Sequence, residues 1–211
     1  MCGLAGIVGE VDLMEQVLLH MSAAQNHRGK ETPNSWVSSF IDARVGLMHN
    51  RMKTIDMAVA PKQPFEDNDT GLVVMLDGEI FNYEDVRRQL ENYYSFTTRG
   101  MCEVITKAYD RWGDGCFDRF EGYFSIVIYN RWSEELLLCR DRFGIKPLYY
   151  ATQRGNLFFA SEIKALFAGG IRSLLSAERW ASYLAYSTYG SPYETFWEGV
   201  HQLPAGFLLH Y

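Results

Sequence analysis

Phe124 to Glu162 reads FSIVIYNRWSEELLLCRDRFGIKPLYYATQRGNLFFASE. Short apolar and aromatic runs alternate here with polar clusters at NRWSEE and TQRGN, a pattern that predicts a meander of antiparallel strands. Working outward, strand-like runs also occur at WVSSF, VGLMHN and LVVMLDGEIF, and the chain opens with a short apolar run from Cys2 to Val8. Helical spacing appears between these groups. Leu13, Met14, Val17, Leu18 and Met21 define one amphipathic helix, and a second opens after Asn82 with Val86 and Leu90 on its inner face. A third carries Val104, Ile105, Ala108, Tyr109 and Trp112. Two further helices and a tail containing Pro and Gly close the chain. Strands and helices that come in groups, not in strict alternation, predict an α+β domain with sheets packed face to face and helices outside.

The 211 residues, 47% apolar and 15% aromatic, suffice for a full hydrophobic core in one large domain. A net charge of −6 without any basic block argues against a nucleic-acid or anionic-membrane surface. No signal peptide is read at the start, and no run approaches the ~18–20 apolar residues of a membrane span, so a cytoplasmic location is expected. The four cysteines, at 2, 102, 116 and 139, have neither C-x-x-C spacing nor the density of a disulfide framework. Cys102, Cys116 and Cys139 read as reduced core thiols, and no cluster has metal-ligand spacing.

Cys2 admits two readings. A buried first strand accounts for it as a small hydrophobe. Alternatively, removal of Met1 would leave a thiol nucleophile and a free α-amine on one residue. Asp77-Gly78, between LVVML and EIF, reads by itself as a two-residue hairpin turn.

Five ordered segments then bear on the choice: MCGLAGI at the start, HRG at 27–29, DGEIFNYEDVRRQL at 77–90, RDRFGIKPLYY at 140–150 and FASEIKAL at 159–166. Together they resemble the N-terminal glutaminase domain of the asparagine synthetases, a class II (N-terminal-nucleophile) glutamine amidotransferase domain. The resemblance runs nearly end to end. It implies a four-layer αββα sandwich of two antiparallel sheets, the N-terminal-nucleophile hydrolase fold, occupying residues 1–211 as a single domain. Residues 190–211 resemble the stretch that leads into the family's second domain. That domain's S-G-G-x-D-S signature is absent from this sequence, so ATP and magnesium are expected only in a synthetase domain outside it, and no cofactor is expected within it.

The same resemblance implies glutamine as substrate, a synthetase domain or subunit as partner, and Cys2 as the nucleophile; a homodimer is left open. In the family an Asn side chain and the following Gly N–H, in an NGE triplet, hold the oxyanion. The triplet here is Asp77, Gly78 and Glu79, so Gly78 keeps its donor while Asp77 presents an acceptor. As a protonated acid Asp77 could still donate, and Asp77→Asn would then speed glutamine hydrolysis. Glu79 corresponds to a substrate-pocket glutamate. MHNRMKTIDM aligns with the family's GHRRLSIIDL, which places Arg51 at the substrate α-carboxylate and the backbone of Lys53, Thr54 and Ile55 along the pocket. TTRGMCEV aligns with TxSDTEV, so Met101 stands where an aspartate pairs with the substrate ammonium. Lys30 and Glu31, in HRGKET, replace the Pro-Asp of HRGPDG.

Three functions follow: a glutaminase supplying ammonia to a synthetase domain that amidates a carboxylate such as aspartate, an impaired amidotransferase domain with a structural role, and a hydrolase of a different amide.

Overall fold

The computed structural model describes residues 2–31, 33–39, 44–52, 62–188 and 191–211. Two antiparallel sheets form its centre. The first contains β1 (Gly3–Val8), β2 (Asn34–Ser39), β3 (Arg44–Asn50), β8 (Tyr149–Gln153), β9 (Asn156–Ala160) and β10 (Val200–Gln202), in the order β10-β8-β9-β1-β3-β2. The second contains β4 (Phe65–Asp67), β5 (Leu72–Ile80), β6 (Gly122–Asn130), β7 (Glu135–Arg140) and β11 (Leu208–His210), in the order β11-β7-β6-β5-β4.

Three apolar layers hold the stack together. Leu4, Leu47, Val73, Met75, Val127, Leu138 and Phe159 fill the space between the sheets. Helices α1 (Met14–Ala24) and α4 (Ile163–Ala168) cover the outer face of the first sheet, where Met14, Leu18, Met21 and Leu166 meet Ile7, Met48 and Phe158. Helices α2 (Tyr83–Leu90) and α3 (Met101–Trp112) cover the second, with Val86, Leu90, Val104 and Ile105 on Val74, Leu76, Ile126 and Ile128. A further helix, α5 (Ala177–Tyr186), contributes no buried residue. This is the expected αββα sandwich. Strands covered on both faces need apolar side chains at odd and even positions alike, which explains continuous runs such as LVVML and ELLLC.

Two sequence readings are corrected. Asp77-Gly78 is not a turn: β5 runs through it in unbroken register with β6, from Leu72 opposite Asn130 to Ile80 opposite Gly122. Turning at Gly78 would pull Ile80, which is completely buried, off the helical layer. Gly78 is instead a kink in the strand at φ +138°, where an added Cβ would lie 2.0 Å from the Tyr123 carbonyl oxygen. The stretch from Phe124 to Glu162 is not one meander, because β6-β7 and β8-β9 are hairpins in different sheets. The tail is also structured. Its strands β10 and β11 pair with β8 and β7, one on the edge of each sheet. Leu13 precedes α1 and is exposed, whereas Cys102, Cys116 and Cys139 are buried and free as expected.

Candidate active site

β1 is flanked by β3 and β9 inside the first sheet, and the residue that enters it, Cys2, meets the last third of β5 in the second. The Cys2 backbone nitrogen donates to Asp77 Oδ1 at 2.9 Å. Asp77 is fully buried, and its other oxygen accepts from Arg28 Nη2 at 2.9 Å. Lys146 Nζ lies 3.2 Å from the oxygen that Cys2 uses. Two cations and an N–H thus surround one carboxylate, the condition under which a buried charge is tolerated.

The sequence brings these groups together by local devices. Arg28 ends a short 3-10 turn, Asn26–Arg28, and spends its donors on three partners. Nε reaches the Cys2 carbonyl at 2.8 Å, Nη2 reaches Asp77, and Nη1 reaches Glu162 at 3.2 Å. The next residue must be glycine: a Cβ on Gly29 would sit 2.5 Å from the Arg51 carbonyl carbon. The HRG motif therefore lets an arginine pass under Cys2 while the turn presses against the end of β3. Ser161 and Glu162 of the FASE segment complete the support, the Ser161 hydroxyl accepting from Leu4 N at 2.9 Å.

Lys146 is delivered by a loop built on two charged side chains with little solvent access. Arg140 donates to the carbonyls of Gly144, Lys146 and Leu203, each at 2.7 Å. Asp141 accepts from the backbone nitrogens of Phe124, Phe143, Ile145 and Lys146 at 3.0–3.3 Å. The RDRFGIK segment is thereby fixed from within, and the Lys146 ammonium lies 5.2 Å from the centre of the Tyr123 ring.

Burial pushes the Cys2 thiol above its ordinary range, and the Asp77 charge adds to that. The Met52 backbone N–H and the Lys146 charge act in the opposite direction. Cys102 is the nearest other thiol in electrostatic terms; burial raises it to about 12, which keeps it protonated. Below the site, His49 is buried, and within ordinary hydrogen-bond geometry its ring nitrogens have no partner among the described residues, the Leu76 backbone being the main-chain group that acts on the ring. Burial lowers it to about 4, so the imidazole is neutral at physiological pH.

The sequence-predicted residues divide as follows. Asp77 meets Cys2, and Gly78 follows it on β5. Glu79 follows on β5, where its carboxylate accepts from the Tyr123 hydroxyl at 2.9 Å. Met101 opens α3 beside it, its thioether 3.5 Å from Ile80 N. Arg51 lies just past β3, with Glu31 3.7 Å from its Nε. Lys53, Thr54 and Ile55 lie outside the described residues, and Lys30 is exposed with Glu31 half-buried.

Asp77 is turned to the Cys2 main chain and the two cations: its oxygens accept from Cys2 N, Arg28 and Lys146, a set of partners that the triplet alone did not suggest. Arg28, Lys146 and Glu162 were not singled out from the sequence. Their motifs HRG, GIKP and ASE were visible, but nothing in the residues shows that they converge on Asp77.

An αββα sandwich with a cysteine at the head of its first strand is the architecture expected of a class II glutamine amidotransferase domain. Within that class, the chain belongs to the glutamine amidotransferase domain family, whose model matches residues 1–211. It is similar to asparagine synthetase [glutamine-hydrolyzing] 2 of Bacillus subtilis (strain 168), with 40% identity over 173 residues, covering 80% of this chain and 22% of that protein. It is also similar to the amidase chry2 of Gibberella zeae, with 32% identity over 183 residues, 87% of this chain and 26% of that one. Among solved structures, the glutamine phosphoribosylpyrophosphate amidotransferase from B. subtilis shares the fold, with a TM-score of 0.65 over 80% of this chain and 44% of its own at 21% identity. The chain therefore spans about a quarter of the length of these two curated relatives.

Proposed function

We propose that this domain hydrolyses the side-chain amide of glutamine at Cys2, once Met1 has been removed, and passes the ammonia to an ATP-dependent, asparagine-synthetase-like domain or subunit that amidates a carboxylate such as aspartate. The observation that carries this reading is the clamp on Cys2. Its N–H is held by Asp77 and its C=O by Arg28, so the main chain that carries the thiol is fixed where β1 of one sheet meets β5 of the other.

The Cys2 sulfur, its proton passed to the α-amine, attacks the amide carbon and pushes the C=O electron pair onto oxygen. Collapse of this tetrahedral species breaks the C–N bond. The amine returns its proton to the leaving nitrogen, ammonia departs, and a glutamyl thioester remains. Water then adds to the thioester carbon, and thiol and glutamate are released. Gly78 N–H is assigned to the oxyanion and Asp77 to holding the Cys2 nitrogen, which differs from the donor role that the NGE triplet implied for it. Arg51 binds the substrate carboxylate bidentately, with the backbone of Lys53, Thr54 and Ile55 and the side chain of Glu79 along the pocket. The domain is taken as the whole of residues 1–211, in the cytoplasm, and ATP with magnesium belongs to the partner domain.

A second reading rests on Met101, a thioether where a free amino acid's ammonium would need a carboxylate. Hydrolysis of another amide fits that residue, and one similar protein bears the name amidase. The test is ammonia release from glutamine. The wild-type chain is expected to release ammonia, Cys2→Ala to release none, and Cys102→Ser to retain activity. Release from other primary amides but not from glutamine would favour the second reading.

A further inference from the structure

Attack on an amide carbon places a full negative charge on its oxygen, and a site that catalyses the step aims donors at that oxygen beforehand. The groups around Cys2 differ in what they have left to give. Asp77 only accepts. Arg28 has each of its three nitrogens committed, to Cys2 O, Asp77 and Glu162. Lys146 carries three donor protons and spends one on Asp77 Oδ1; its side chain makes no other hydrogen bond among the described residues. It reaches the same oxygen as the Cys2 nitrogen, so the ammonium and the Cys2 main chain flank one atom, and the ammonium is close enough for its charge to act on the thiol. Such a placement is expensive for a lysine: the side chain is 10% exposed, and the loop that holds it is itself organised around Arg140 and Asp141. Arg28 is shared between Asp77 and Glu162, whereas Lys146 has Asp77 as its one carboxylate partner among the described residues.

We infer that Lys146 is a catalytic residue of this site, its ammonium donating to the oxyanion that forms when Cys2 attacks an amide, with Gly78 N–H on the other side. The same charge favours the Cys2 thiolate before attack. Asp77 then has a double task, fixing the Cys2 nitrogen and holding the Lys146 ammonium next to it. This assignment rests on Cys2 being the amide-hydrolysing nucleophile.

The test uses the full chain with Lys146→Gln and Lys146→Arg, and two readouts. The first is ammonia release from glutamine. Lys146→Gln should lower kcat by roughly 10²-fold, the usual effect of losing one oxyanion donor, with KM within about threefold. Lys146→Arg, which keeps a charged donor, should recover most of the loss. The second readout is alkylation of Cys2 by iodoacetamide against pH, which does not involve glutamine. The charged groups facing Cys2 are the N-terminal amine, Asp77, Arg28 with Glu162 behind it, and Lys146. Removing the last should move the alkylation midpoint up by roughly half a unit or more, and Lys146→Arg should not move it. Thermal melting identifies any variant that has merely unfolded, and Lys146→Arg supplies the folded control. A wild-type chain that releases no ammonia, yet whose Cys2 alkylation shifts with Lys146→Gln, would remove the glutaminase reading and support the lysine's action on an anion at Cys2. An unchanged kcat, or a loss carried entirely by KM, together with an unmoved alkylation midpoint, would overturn the inference.

Discussion

At the scale of single residues, the decisive feature is the side chain at position 77. Aspartate in place of a neutral amide looks, in the sequence, like damage to an oxyanion site. In the fold it is the centre of a charge cluster that the neighbouring strands and turns are shaped to serve. Asp77→Asn should therefore not rescue activity. An amide nitrogen there would face Arg28 or the Cys2 nitrogen, donor against donor, and Arg28 would lose its buried counter-charge. Breaking a buried pair by removing one partner typically costs ~3–5 kcal/mol. Glu162 still holds Arg28, which places the expected loss at the lower end, ~3 kcal/mol in urea unfolding, with ammonia release at pH 7–8 no faster than wild type. A variant as stable as wild type and tenfold faster would return Asp77 to the oxyanion. That this cluster was invisible in the sequence has a plain cause. Asp77 lies 75 residues from Cys2 and 69 from Lys146, and no periodicity or local motif encodes a contact of that separation.

At the scale of elements, the apolar runs and helical stripes were legible because burial on both faces leaves little freedom in composition. Which strands share a sheet was not, since the loop between β7 and β8 carries the chain from one sheet to the other with no change in residue type. β3 illustrates what an element can hide. Leu47 and Met48 follow the expected in-out alternation, yet His49 also lies buried, and its ring is held neutral by desolvation. Its value falls from 6.5 to about 4, the Asp77 charge and the Leu76 backbone restoring only part of the shift. The sign follows from linkage. Between pH 6.5 and 4 the unfolded chain binds a proton that the folded chain refuses, so stability is complete above pH 6.5 and falls as the pH drops. At 1.36 kcal/mol per unit this amounts to ~3 kcal/mol by pH 4. His49→Leu should flatten the fall in unfolding free energy between pH 7 and 4.5 relative to wild type, as measured by urea titration at several pH values. Parallel pH profiles for the two proteins would show that the ring is protonated in the folded state.

At the scale of the whole molecule, the chain's two ends close the sandwich. The first strand, entered from Cys2, lies between β3 and β9, and the last two strands edge the two sheets, so the tail that resembles a lead-in to another domain pairs with the strands of this one. Val200 and Leu203 are buried in it, and fully burying such a side chain contributes ~1.5–3 kcal/mol. Removing residues 200–211 should therefore lower stability by at least ~3 kcal/mol out of the 5–15 typical of a domain. A truncated chain whose urea midpoint matches wild type would mean that the edges are dispensable. The central claim, however, is that this architecture exists to present Cys2 as an N-terminal nucleophile. Its most direct test is peptide mass mapping after incubation with a glutamine-mimicking diazoketone. The account predicts a single adduct, on a Cys2 that has lost Met1, and none in Cys2→Ala. An adduct on Cys102, Cys116 or Cys139, or undiminished ammonia release from a chain that keeps Met1, would contradict it.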